Sequence, residues 1–250
     1  MKREKMYMTR RKENSLIEKK KNGGVAAVIL LAGTLLLFAV VFLLQEKNIQ
    51  ENNSQSSAIE AMVYMENNGA GGNGSIYQIT EEEVIIVTTY HLLQNGELIK
   101  VRFRDNFYAE GSILGVNEEH DVGFVTVPTE EISDETLRQI GSIQKDAASY
   151  EVLKQGDLVK YYFLTYDGIF VCQESYEGTI GDMNWYVADF DDYLIYNYCQ
   201  VQPGMSGCAA VAGDGSYIGM VIGGYDNESA ALSVQVIDKI YQELVDFTKS

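Results

Sequence analysis

Ser206 lies in Pro203-Gly204-Met205-Ser206-Gly207, the segment of this 250-residue chain best suited to covalent chemistry. Glycines on both sides let the backbone bend sharply enough to present one hydroxyl. A serine hydroxyl is nearly inert at its ordinary pKa, so it needs a base, and the base needs a group that orients it. The chain has two histidines. His91 ends an apolar, β-branched run in Thr88-Thr89-Tyr90-His91-Leu92, and Asp121 opens another in His120-Asp121-Val122-Gly123-Phe124-Val125. Serine as nucleophile, histidine as proton carrier and aspartate as its orienting partner would suit acyl transfer. The N–H groups of Gly204 and Ser206 are the candidate donors to a developing oxyanion, and Gly204, lacking a Cβ, can turn its amide toward one. Asp105 is the reserve acid, in a more turn-like setting, and His120 is expected to sit exposed beside Asp121.

The order His91, Asp121, Ser206 is that of chymotrypsin rather than of subtilisin or the α/β-hydrolases. Together the Thr-x-x-His, Asp-Val-Gly-Phe-Val and Pro-Gly-Met-Ser-Gly segments resemble a trypsin-like serine protease. The resemblance is strongest to the HtrA/DegP-like branch, whose motifs read roughly Thr-Asn-x-His-Val, Asp-Leu-Ala-Val and Gly-Asn-Ser-Gly-Gly, and it covers about residues 57 to 246. It implies an all-β, chymotrypsin-like double β-barrel with a C-terminal helix, a serine endopeptidase activity on polypeptides, and no cofactor. It also implies a pocket for the residue before the scissile bond, shaped by Gln200, Ile222 and Gly223. With no acid at Gln200, small or medium apolar residues are expected there rather than Arg or Lys. Two positions depart from the family pattern: Met205, where relatives carry Asp or Asn, and Cys208, where they carry a second glycine. No PDZ domain is expected after the C-terminal helix. The alternative is a protease-fold domain that binds peptides or a membrane partner without cutting them.

These residues require elements to hold them. Short apolar runs recur from residue 59 onward: 59–65, 76–79, 84–89, 98–103, 111–116 and 122–127. A second set follows at 158–165, 168–174, 176–180, 185–188, 194–198, 209–211, 217–223 and 231–234. Short strands with turn signals between them and no long amphipathic helix indicate a barrel or sandwich. Residues 130–140 carry weak helical spacing where two halves would join, and Asn67 to Ser75, rich in glycine, reads as a loop. No Gly-Lys-Ser/Thr follows that glycine run, so it is not a phosphate cradle. Val236 to Val245, apolar at Val236, Ile240 and Leu244, predicts a closing helix.

Ahead of the domain the composition changes abruptly. Residues 1–22 hold nine Lys/Arg against three acids, and 23–44 hold no charge at all. An uncharged run of that length spans a bilayer core as a helix. The spacing therefore predicts a basic cytoplasmic tail at 1–22, a membrane helix at 23–45, a polar stalk at 46–57 and an extracytoplasmic domain at 58–250. Residues 45–250 carry ten Lys/Arg against thirty-three acids. Nucleic acid is excluded as a partner by that balance, since phosphate contacts need clustered positive charge. Cys172, Cys199 and Cys208 cannot all pair within one chain, so a disulfide framework is excluded. The acidic stretch with Asp182, Asp189, Asp191 and Asp192 lacks the spacing of a calcium loop and reads as solvated, so no metal is expected.

Overall fold

A computed structural model describes residues 36–43, 45, 57–94, 96 and 98–248. The chain divides into two units, Met1–Gln50 and Glu51–Ser250. In the first, 36–43 and 45 are helical, with apolar side chains such as Phe38 and Phe42 exposed. Among the described residues no helix is long and apolar enough to cross a membrane. The expected tail 1–22, most of the expected span 23–45 and nearly all of the stalk 46–57 lie outside the described residues.

The second unit holds two closed barrels. The first contains β1 (Met62–Asn67), β2 (Ala70–Ile79), β3 (Glu83–Thr88), β4 (Leu98–Arg102), β5 (Tyr108–Asn117) and β6 (Val122–Pro128). The second contains β7 (Leu158–Tyr166), β8 (Val171–Val187), β9 (Asp192–Tyr198), β10 (Ala209–Ala212), β11 (Tyr217–Tyr225) and β12 (Glu228–Ser233). Strand order is 1-2-3-6-5-4 in the first and, read from β7, 7-8-9-12-11-10 in the second, so the halves repeat one topology. Closure removes the exposed sheet edges that all-β chains must otherwise protect.

Period-2 patterning explains the strands that have one wet face. In β4, Ile99 and Val101 are buried while Leu98, Lys100 and Arg102 point outward. β3 is buried on both faces, from Val84 through Val87, where all four side chains join the larger apolar cluster. The larger apolar cluster fills the first barrel and continues into the second through Tyr162, Met220, Ile222 and Leu232. Between the barrels, residues 129–137 form a 3-10 turn at Thr129–Glu131 and a short helix at Asp134–Leu137 capped by Ser133. The closing helix runs from Val234 to Thr248 and buries Ile237, Ile240 and Tyr241. It returns to the first barrel: Tyr241 packs 4.6 Å from Tyr77 and 5.2 Å from Phe124, and the Tyr77 hydroxyl donates to Asp238 at 2.7 Å.

Two expectations need correction. The glycine-rich stretch is strand rather than loop: β2 begins at Ala70 and pairs with β1 from Met62↔Ser75 to Asn67↔Ala70. Glycine belongs in this strand because its neighbours lie so close. A Cβ on Gly71 would strike Tyr64, and one on Gly74 would strike Ile86 and Met65. The three short strands expected between residues 168 and 188 are one, β8, seventeen residues long and bent by irregularities near Gly181 and between Asp182 and Trp185.

Candidate active site

His91 owes its position to a change of backbone at the end of β3. Thr89 is extended, and a four-residue helix, Tyr90–Leu93, follows. Leu92 and Leu93 are buried, which turns His91 outward on the opposite side of the turn. Thirty residues on, Asp121 closes the β5–β6 turn with φ of 49°. That left-handed conformation is tolerated by Asp, whose short side chain bonds locally. The turn brings its carboxylate to the helix. One oxygen accepts the His91 backbone N–H at 2.8 Å and the other lies 2.7 Å from His91 Nδ1. The Asp121 carbonyl also accepts the Tyr90 N–H at 3.2 Å. A carboxylate facing Nδ1 places the proton there and leaves the lone pair on Nε2. Nε2 lies 3.4 Å from the Thr89 hydroxyl.

His120 points elsewhere, its Nδ1 lying 2.6 Å from Asp192 Oδ2 at the start of β9, so it joins the two barrels. Asp105 is also committed elsewhere: its oxygens accept the Phe107 N–H and the Thr136 hydroxyl.

Ser206 sits in the turn leading into β10. Gly204 and Gly207 have φ of 92° and 87°, values that L side chains rarely adopt. Met205 is 1% exposed and packs in the smaller core of the second barrel, which anchors the turn through an apolar side chain. Most of the turn's N–H groups are paired: Met205 donates to Gln202 O, Cys208 to Met205 O and Gly207 to Val221 O. Those of Gly204 and Ser206 meet no acceptor among the described residues, leaving two free donors two residues apart. The Ser206 carbonyl accepts the Asn73 N–H of β2 at 2.8 Å, which ties the turn to the barrel that carries His91. Among the described residues no hydrogen bond joins Ser206 Oγ to His91.

Beside Ser206 opens a cavity of about 390 Å³ with Val201, Pro203, Met205, Val221 and Gly223 in its walls and Asp226 as its one charged lining residue. Of the residues expected to shape such a pocket, Gly223 lines it. Ile222 turns its side chain into the core at 3% exposure, and Gln200 is exposed outside the lining. Asp226 and Asn73 were not singled out in the sequence. Asp226 is one of many acids in turns, but a polar residue between glycines, as in Gly72-Asn73-Gly74, was a signal available in the chain itself.

All three cysteines are free. Burial pushes the Cys199 thiol up to about 12, and burial drives Cys208 well above its ordinary value. Neither is a thiolate at neutral pH, so Cys208 packs beside the candidate nucleophile without competing with it. Among the described residues no group of three His, Cys, Asp or Glu side chains could hold a metal ion.

Two six-stranded barrels of equal topology, a buried-face helix bridging them and an exposed His–Asp pair on one barrel define the chymotrypsin-like double barrel. The family model described as "Trypsin-like peptidase domain" matches residues 72–220, a span that runs from β2 through Ser206 into β11. The chain belongs to this family and is a trypsin-like serine protease acting on polypeptides. No curated protein matches it.

Proposed function

We propose that the chain cuts peptide bonds with Ser206 as nucleophile, His91 as general base and acid, and Asp121 as the group that orients His91. The observation that carries this reading is the double hold of Asp121 on His91, through the backbone N–H at 2.8 Å and Nδ1 at 2.7 Å. In the first step Ser206 Oγ bonds to the scissile carbonyl carbon while its proton passes to His91 Nε2. The carbonyl oxygen becomes an oxyanion that the free N–H groups of Gly204 and Ser206 receive. The carbon–nitrogen bond then breaks as Nε2 returns the proton to the leaving amine, and water repeats the sequence to release the acid. The cavity with Gly223 in its wall takes the side chain before the scissile bond. Its walls support a small or medium apolar side chain, and Asp226 opposes an acidic one.

The chain is further proposed to be HtrA-like and anchored by residues 23–45, with the protease domain outside the cell and a role in envelope protein quality control. Support for this is the uncharged run, the basic residues ahead of it and the motif resemblance. A second reading, a binding domain without activity, is favoured by one observation: Ser206 Oγ has no hydrogen bond to His91 among the described residues. Such bonds often tighten only when substrate arrives.

Treating the purified full chain with a fluorophosphonate probe separates the two readings. Labelling that disappears in Ser206→Ala and falls steeply in His91→Ala is the expected result. A folded protein that takes no label would remove the protease mechanism and leave the binding domain.

A further inference from the structure

Asn73 is 1% exposed, yet it sits in a strand of the first barrel with a fully polar side chain. A buried amide is retained only where its hydrogen-bonding groups are satisfied, so its partners indicate what it does. Its Oδ1 accepts the Leu164 N–H at 2.7 Å, and its Nδ2 donates to the Leu164 carbonyl at 3.1 Å. Leu164 lies in β7 two residues beyond Tyr162, the last residue that β10 pairs. The amide therefore continues the ladder of the second barrel from outside it. Pairing with both backbone groups of one residue also fixes which end of the amide is nitrogen.

The same Nδ2 donates to a third group, the carbonyl of Gly204, at 2.7 Å. That carbonyl belongs to the peptide between Gly204 and Met205, which lies between the two free N–H donors. Its other end, the Met205 N–H, is held by Gln202 O at 3.2 Å. The peptide is thus pinned at both ends, and a rotation of it would swing Gly204 and Ser206 out of register with each other. The backbone of Asn73 adds two further ties. Its N–H donates to Ser206 O at 2.8 Å, and its carbonyl accepts the Thr88 hydroxyl at 2.7 Å, three residues before His91.

We infer that Asn73 is a positioning residue for peptide hydrolysis: its side-chain amide clamps the Gly204–Met205 peptide so that the Gly204 and Ser206 N–H groups converge on one oxyanion. The inference rests on Ser206 being the nucleophile. Asn73 touches neither substrate nor reacting atoms; it acts through the turn. Electrostatic stabilisation of an oxyanion depends on donors already in place before charge develops, and a loosened donor loses most of that advantage.

The test compares the full chain with Asn73→Asp and Asn73→Ser. Asn73→Asp keeps the shape and the acceptor for Leu164 N–H, but turns a carboxylate toward two carbonyls. Asn73→Ser keeps one donor on a shorter reach. The expected outcome is that kcat and the rate of fluorophosphonate labelling fall together by about 10- to 100-fold, below the 100- to 1000-fold typical of losing a donor outright. KM stays within about threefold, and affinity for a peptide boronate, whose adduct oxygen occupies the hole, falls in step with kcat. Folded variants with wild-type kcat and boronate affinity overturn the inference while leaving the serine mechanism standing. A wild-type chain that takes no label overturns both. Should neither variant fold, hydrogen exchange on the wild type decides: the boronate adduct should slow exchange at residues 72–74 as well as at 202–206. Protection confined to 202–206 overturns the clamp.

Discussion

At the scale of single residues, the identity of Asp121 is constrained twice, by its backbone and by its side chain. A φ of 49° narrows the choice to Gly, Asn or Asp, and only Asp accepts from both His91 N–H groups without offering a proton of its own. Asp121→Asn keeps the left-handed turn but presents an amide that can donate to Nδ1, which moves the imidazole proton to Nε2 and removes the base. We expect kcat to fall by about 10⁴-fold with little change in melting temperature, checked by steady-state kinetics beside thermal unfolding. An unchanged kcat would mean that Asp121 does not orient His91 in catalysis.

Among the elements, the turn from Gly204 to Gly207 depends on what stands behind it. Gly207 has φ of 87°, and a Cβ there would run into the Asn73 carbonyl and the Thr88 hydroxyl. Gly207→Ala should therefore destabilise the protein by more than about 1 kcal/mol from backbone strain alone, with the steric conflict adding to it. Because the displaced groups are those that tie the turn to β2 and β3, labelling of Ser206 should fall further than stability does. Urea denaturation read alongside probe labelling would measure both, and a variant as stable and as reactive as the wild type would refute this account of the turn. The same logic explains why β2 is glycine-rich: the strand is narrow because Tyr64, Ile86 and Met65 occupy the space its side chains would take.

For the whole molecule, charge is the dominant long-range property. Ten basic against thirty-three acidic residues over 45–250 create a field that attracts cationic peptides and repels anionic ones. The value of kcat/KM for a peptide flanked by lysines should drop as ionic strength rises from about 0.01 to 1 M, where the screening length shrinks from about 30 to 3 Å. A peptide flanked by glutamates should move in the opposite direction, and a neutral one should stay flat. Equal salt responses for all three would mean that the acidic surface does not reach the cleft. Between the barrels, the His120–Asp192 contact and the closing helix on Tyr77 and Phe124 hold the halves that carry His91 and Ser206.

The chain's residue types and their local patterns already determined an all-β domain of two strand sets, a closing helix, and the order of His91, Asp121 and Ser206. Those features are local: period-2 runs, turn residues and short motifs depend on neighbours a few positions away. What only the tertiary structure decided was non-local. Whether the glycine run is loop or strand depended on β1, which pairs with it residue by residue. Whether three apolar runs are three strands or one depended on β7 and β9 extending along β8. Asp121 became the partner of His91, and Asp105 that of Thr136, through turns brought together by barrel closure. The polar residue between glycines marks Asn73 in the sequence, but its partners Leu164 and Gly204, 91 and 131 positions away, come only from the fold. A side chain's chemistry is written in the sequence, but its partners are set by which strands close the barrels and where the two barrels meet.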